Sequence, residues 1–315
     1  SEMCIRDRYI INRFIQLIFI MLVVSFLTFF ITSILPSDPV TMKYESMNQQ
    51  VSKEVIEKEK EALGLNKSFT ERYANWLFAA LKGDFGTSVK YSVPVTQKLG
   101  QAIPNTVSLV FVAIILTVIF ALLLGILSAV WHNTIADNII RFISFIGISM
   151  PSFWLGLLLI YWFSIRLKIL PTSGMGEAKH MILPSVTLAV WSTSAYIRRI
   201  RAGLLEEMKK NYVTGLLSRG VSYKRIICNH VLPNSLIGVL TMFAMTVGGM
   251  LGGTIVVENI FAWQGVGKLA MEAISNRDYP IIQAYVVWMA LIYVGINFLV
   301  DILNRLIDPR MRIGG

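Results

Sequence analysis

From Ile103 to Trp131 no residue carries a charge, and most are aliphatic or aromatic. A helix of about 20 apolar residues spans a bilayer, and helix satisfies every backbone polar group where no water can reach. The stretch therefore predicts a membrane crossing, with Pro104 in a first turn where its missing N–H costs nothing. Comparable stretches run from Tyr9 to Leu35, from Ile139 to Leu167, from Ile182 to the arginines at 198–201, from Leu236 to Val257 and from Ile281 to Leu303. The expected fold is all-α and polytopic, with six transmembrane helices. Pro151, inside SMPSFWLG at 149–156, removes a helical hydrogen bond and should bend the third.

Only 15% of the 315 residues are charged, against about 25% in a soluble domain. The net charge of +10 does not indicate nucleic acid, because the basic residues lie mainly between apolar spans, where they orient a chain in its bilayer. Arg6, Arg8 and Arg13 at the start of the first span, Arg198, Arg199 and Arg201 at the end of the fourth, and DPRMR at 308–312 put both termini and the 203–234 segment in the cytoplasm. Cys4 and Cys228 fall on that side, so no structural disulfide is expected. The first span outruns a signal-peptide core and lacks a cleavage motif, so it should be retained.

By alternation the polar insertion from Ile34 to Gly100 lies outside. A helix over 52–63 should stop at Gly64. Ser68 and Glu71 form a capping box for a second helix, whose Phe69, Tyr73, Trp76, Leu77 and Leu81 make an apolar stripe. This reads equally as a cap packed on the bundle or as a surface that meets cargo.

The cytoplasmic stretch Tyr212–Asn234 reads as two short helices at a stiff elbow. Gly220 takes the left-handed conformation that closes the first, Ser222 caps the second, and Pro233 follows its end. Gly220, then Leu232 and Pro233 twelve and thirteen residues on, resemble the coupling loop of importer permeases of the ATP-binding-cassette (ABC) class. LGL at 63–65, GDFGTS at 83–88, TIVVENIFAWQGVG at 254–267 and NRDYPIIQ at 276–283 resemble the dipeptide, oligopeptide and nickel permeases of that class, and similar segments cover Tyr9 to Arg312. Two departures stand out. Gln264 replaces a usual proline, and Gly215, Leu216 and Leu217 replace alanine, arginine and alanine, which changes the helix face offered to a partner.

The resemblance implies a type I ABC importer permease in a bacterial or archaeal plasma membrane. Residues 1–8 would be a leader foreign to the fold, 9–35 the first transmembrane helix, 36–101 an extracytoplasmic helical insertion, and 102–312 a five-helix core with its coupling loop at 203–234. Implied partners are a second homologous permease, two ABC ATPases, an extracytoplasmic substrate-binding protein and membrane lipid. Tyr212, Val213, Ser218, Arg219, Gly220, Val221, Leu232 and Pro233 would couple to the ATPase.

Gly248 with Gly252 and Gly249 with Gly253 are G-x-x-x-G pairs that let another helix approach closely, across a permease dimer or within the chain. With Pro151 they are the candidate packing and pathway residues. Glu258, at the outer end of the fifth span, is a possible polar group on the pathway, or a hydrated helix-end carboxylate bonded to a loop. Gly267 and Lys268 lead to Leu269 rather than Ser or Thr, so no P-loop is present, no catalytic residue is assigned, and ATP with Mg²⁺ belongs to partner subunits. His132, His180 and His230 lie in separate loops, so no metal ligand set is expected and any metal would travel as a chelate. The cargo expected is peptide, with nickel or a metal chelate as the alternative. A secondary transporter driven by an ion gradient would instead show mid-span charges and an internal repeat, and neither is visible.

Overall fold

The computed structural model describes residues 2–34, 40–41, 44, 51–62, 64 and 66–307, and side chains within these except for 2–12, 59, 62, 237–245 and 300–307. The order is α1 (Glu2–Ile34), α2 (Lys53–Ala62), α3 (Phe69–Leu81), α4 (Val95–Val130), α5 (Ile135–Ser149), α6 (Ser152–Leu159), α7 (Ala178–Met208), α8 (Asn211–Ser218), α9 (Tyr223–Ile226), α10 (Leu232–Ile260), α11 (Val266–Ser275) and α12 (Tyr279–Ile307). Among the described residues there is no β-strand, only a bridge between Thr87 and Pro94. The terminal DPRMR lies outside the described residues, and α1 already begins at Glu2.

Arg13–Ile34, Val95–Val130 and Tyr279–Leu299 are long and apolar enough to cross a membrane. The pair Ile135–Ser149 and Ser152–Arg166 makes a fourth if counted as one span, although it is bent by 110°. At Pro151 the helix is therefore broken, not merely bent. Helix α7 is 31 residues long but less apolar, because it presents Ser185, Thr187, Ser192 and Ser194 to its neighbours.

One compact unit comprises residues 2–104 and 265–295. In it Phe26, Phe29 and Phe30 of α1 pack against Phe69, Tyr73 and Trp76 of α3, the Phe26 and Tyr73 rings meeting edge-on at 5.4 Å. The predicted stripe is thus real at its start, but Leu81 is 75% exposed. Half of the expected capping box forms. The Ser68 hydroxyl accepts from the Glu71 N–H at 3.4 Å, while the Glu71 carboxylate turns to Lys67 at 2.6 Å. Gly64, at φ +67°, follows α2 as expected.

The same unit joins two distant motifs. Ser88 of GDFGTS donates to the Asp278 carboxylate of NRDYP at 2.5 Å, the Lys90 N–H donates to the same oxygen at 3.1 Å, and the Tyr91 hydroxyl donates to Glu272. Beneath them Val95, Leu99, Ala102, Val266, Ala273, Ile281 and Ala284 form a buried apolar cluster. Burial, with the Glu272 carboxylate beside it, pushes the Tyr91 phenol above its ordinary range.

The other unit comprises residues 105–264 and 296–307. Here α5, α6 and α10 pack on α7. Glycine sets the closest approaches. A Cβ at Gly125 of α4 would lie 2.9 Å from Ile200 Cβ, and one at Gly147 of α5 would lie 2.2 Å from Ser194 Oγ, so α7 seats against bare backbone at both places.

Candidate functional site

Helix α7 leads into the elbow and α10 leads out of it. Gly220, at φ +75°, closes α8: its N–H donates to the Leu217 carbonyl at 2.9 Å, and that of Val221 to Leu216 at 3.1 Å. Ser222 occupies the position before α9, but its hydroxyl makes no cap bond. Pro233 does not end the second helix. The backbone stays helical through a π-helical stretch, Ile227–Val231, into α10, where Pro233 stands in the first turn. The wider turn relieves the clash that a proline ring makes with the carbonyl four residues back.

The elbow is anchored from within. Val213, Ile226 and Val231 are buried with Ile200 and Leu204 of α7, and Tyr212, Leu216, Val221 and Leu232 pack around them. Val213 is thus part of the elbow's own core rather than of its outer face. Glu207, at the end of α7, accepts the Tyr212 hydroxyl at 3.0 Å and pairs with Lys210 at 2.5 Å. Burial pushes the Glu207 carboxyl up, but bonds from Lys210, Tyr212 and Asn234, with the lysine's charge, outweigh it and hold the carboxyl below its ordinary range. A depressed carboxyl stabilises the fold above its unfolded pKa and loses that contribution as pH falls through the folded value. Acidification below the ordinary carboxylate range should therefore lower the thermal midpoint of the purified chain, and Glu207→Gln should flatten that part of the profile. An unchanged profile in the variant would remove Glu207 from this role.

Outward, the elbow shows Leu217 at 47% and Tyr223 at 45% exposure, flanked by exposed Ser218, Arg219, Lys224 and Arg225. Leu217 was legible only as a departure from the family pattern, and Tyr223 gave no signal in the sequence. Two apolar knobs with a basic rim fit a groove with an acidic rim.

Above the elbow a cavity of about 730 Å³ opens between the α5–α6 break, α7 and α10. It is lined by Ile148, Ser149, Met150, Pro151 and Ser152 from the break, by residues of α7 including Trp191, Ser192 and Arg199, and by Thr246, Gly249, Met250 and Gly253 of α10. Three of the singled-out positions, Pro151, Gly249 and Gly253, thus line one cavity. The glycines divide by role. A Cβ at Gly253 would meet Leu188 of α7 at 3.3 Å, an intrachain packing contact, whereas one at Gly249 or Gly252 would meet nothing within 4 Å. Gly248 is half-buried and does not line the cavity. Hydroxyls of Ser149, Ser152, Thr187, Ser192 and Thr246 belong to lining residues, Arg199 supplies charge, and no lining residue is acidic.

Glu258 lies away from that cavity. It is fully buried rather than hydrated, and it accepts the Thr106 hydroxyl of α4 at 2.6 Å. The following turn is firm despite Gln264. Its N–H, which proline would lack, donates to Met175 Sδ at 3.0 Å, and its carbonyl accepts from Asn105 at 2.7 Å. His180 is not merely solvated: its Nδ1 accepts the Glu177 N–H at 3.3 Å at the start of α7.

Sequence reasoning missed the buried ion pair that joins the α4–α5 turn to α7. Asp137, in the first turn of α5, is fully buried and takes two bonds of 2.8 Å from Arg201, one of 2.5 Å from Ser128 and one of 3.0 Å from the Asn133 N–H. In the sequence Arg201 stands out only as an orienting charge, and nothing in the spacing links it to a residue 64 positions earlier. Among the described residues no three His, Cys, Asp or Glu side chains converge as a metal site.

Residues 121–313 match the family described as binding-protein-dependent transport system inner membrane component, and residues 6–110 match its N-terminal counterpart. The chain is 35% identical over 308 residues to the metal-staphylopine import system permease protein CntB of Staphylococcus aureus (strain NCTC 8325 / PS 47), covering 98% of this chain and 99% of that one. It is 35% identical over 304 residues to the glutathione transport system permease protein GsiC of Escherichia coli (strain K12), covering 96% and 98%. Among solved structures, the MetNI methionine ABC transporter in an inward-facing conformation matches with TM-score 0.56 and 18% identity over 67% of this chain and 96% of that one. An amino acid ABC transporter crystallised with histidines matches with TM-score 0.51 and 18% identity, over 68% and 94%. These two share the fold.

Proposed function

The chain belongs to the binding-protein-dependent transport system inner membrane components, the multi-pass plasma-membrane permeases of ABC importers, and from that premise we propose that it forms half of a pathway for peptides. ATP hydrolysis belongs to separate subunits. The observation that carries the reading is that the two helices flanking the elbow, α7 and α10, also supply most of the cavity wall. A push on Leu217, Arg219 and Tyr223 by a closing pair of ATPase subunits is transmitted along these helices and alters the cavity's opening. Val213, Val221 and Leu232 keep the elbow rigid enough to pass that motion on. A second permease, facing the open side of Gly252, completes the pathway, and an external binding protein delivers the cargo.

A cavity with serine and threonine hydroxyls, an indole and a guanidinium suits a small solute bearing amides and a carboxylate. The similarity to a metal-staphylopine permease favours a second reading, import of an intact metal chelate by the same mechanism. The pathway has a direct test. Gly249→Phe projects a ring into open space on the cavity wall, so the assembled importer in proteoliposomes should keep its thermal midpoint and lose uptake at least tenfold. Uptake at the unmodified level would place the pathway elsewhere.

A further inference from the structure

On the cytoplasmic side of α5 and α7 lies a separate cavity of about 510 Å³, lined by Asn138, Arg141, Phe142, Phe145, Arg198 and Arg201. The four α5 residues follow the i, i+3, i+4, i+7 spacing of one helix face, and the two α7 residues stand one turn apart. Arg201 is held in place by Asp137, which is buried behind it. Arg141 and Arg198 are exposed and make no hydrogen bond or ion pair among the described residues. The lining thus brings together three guanidinium groups, an amide and two phenyl rings, with no carboxylate of its own.

We infer that Asn138, Arg141 and Arg198 bind the phosphate of an anionic phospholipid headgroup, with Phe142 and Phe145 against the start of its acyl chains. Guanidinium forks match phosphate oxygens, and basic pockets between transmembrane helices on this side of a membrane hold such headgroups. The apolar part identifies a lipid rather than free phosphate. Phe142 is 65% and Phe145 62% exposed, and Ile139 and Ile143 extend the apolar surface along α5. Depth agrees, because Arg201 precedes the end of α7 at Met208 by about 10 Å at 1.5 Å per residue, which is headgroup level for a helix that goes on into a cytoplasmic elbow. A second copy of the chain fits less well, since a patch bearing only positive charge would meet its own sign.

The test is native mass spectrometry of the full chain, purified with its partner subunits in neutral detergent and titrated with phosphatidylglycerol, phosphatidylcholine or inorganic phosphate. Phosphatidylglycerol should be retained at concentrations where phosphatidylcholine is not. Arg141→Gln with Arg198→Gln should weaken that retention by about tenfold or more, and lysine at both positions should recover part of it. Both arginines are exposed and unbonded, so the variants should fold; single substitutions, each with a smaller loss, serve if the double variant does not. Equal retention of the two lipids, or unchanged retention in the glutamine variant, would overturn the assignment. So would inorganic phosphate displacing the lipid at comparable concentration, or loss of a permease–permease contact as the sole effect of the variant.

Discussion

Proline at position 220 should abolish ATP-driven uptake while leaving the chain inserted and its ATPase partners active. Gly220 sits at φ +75°, and proline is confined near −65°. The substitution also deletes the N–H bonded to the Leu217 carbonyl, so α8 loses its terminator and the outer face of the elbow is re-aimed. The site can accept a side chain, because a Cβ there meets nothing within 4 Å. Gly220→Asn should therefore transport at near the unmodified rate, since asparagine tolerates the left-handed region. The comparison is made in proteoliposomes with all subunits present, scoring uptake against ATP hydrolysis. Undiminished uptake by the proline variant would sink the coupling role of the elbow.

Removing the carboxylate at Asp137 should strongly destabilise the chain. Asp137→Ala leaves Arg201 without its counter-ion, and leaves the Ser128 hydroxyl and the Asn133 N–H without their acceptor. Breaking a buried pair from one side costs about 3–5 kcal/mol. Thermal unfolding in detergent should show this as a large drop in midpoint. Adding Arg201→Gln should restore part of the loss, because the stranded charge goes with it. A midpoint equal to that of the unmodified chain would mean that the pair does not hold the α4–α5 turn to α7.

Apolar runs and the placement of arginine made the membrane class legible, and Gly220 made the elbow legible, because each reflects a local physical demand. The closest contacts were not legible. Gly147 against Ser194 and Asp137 against Arg201 join helices far apart in the chain, and neither partner looks unusual alone. Glu258 misled in the opposite direction. A carboxylate at the end of a span reads as hydrated, yet Thr106 from another helix shields it. Pro151 announced a disturbance, but a break of 110° rather than a bend depends on the packing of α6 against α7 and α10. Pro233 announced a stop that a π-helical turn absorbs.

The break at Met150–Pro151 puts a change of chain direction, rather than a continuous helix face, into the cavity wall. Irregular backbone is tolerated at membrane depth where it borders such a space, and here the Met150 N–H and the Pro151 carbonyl are still satisfied by Ile146 and Leu155. Side chains around the cavity can therefore be exchanged without unravelling the corner, because its main chain is satisfied from within.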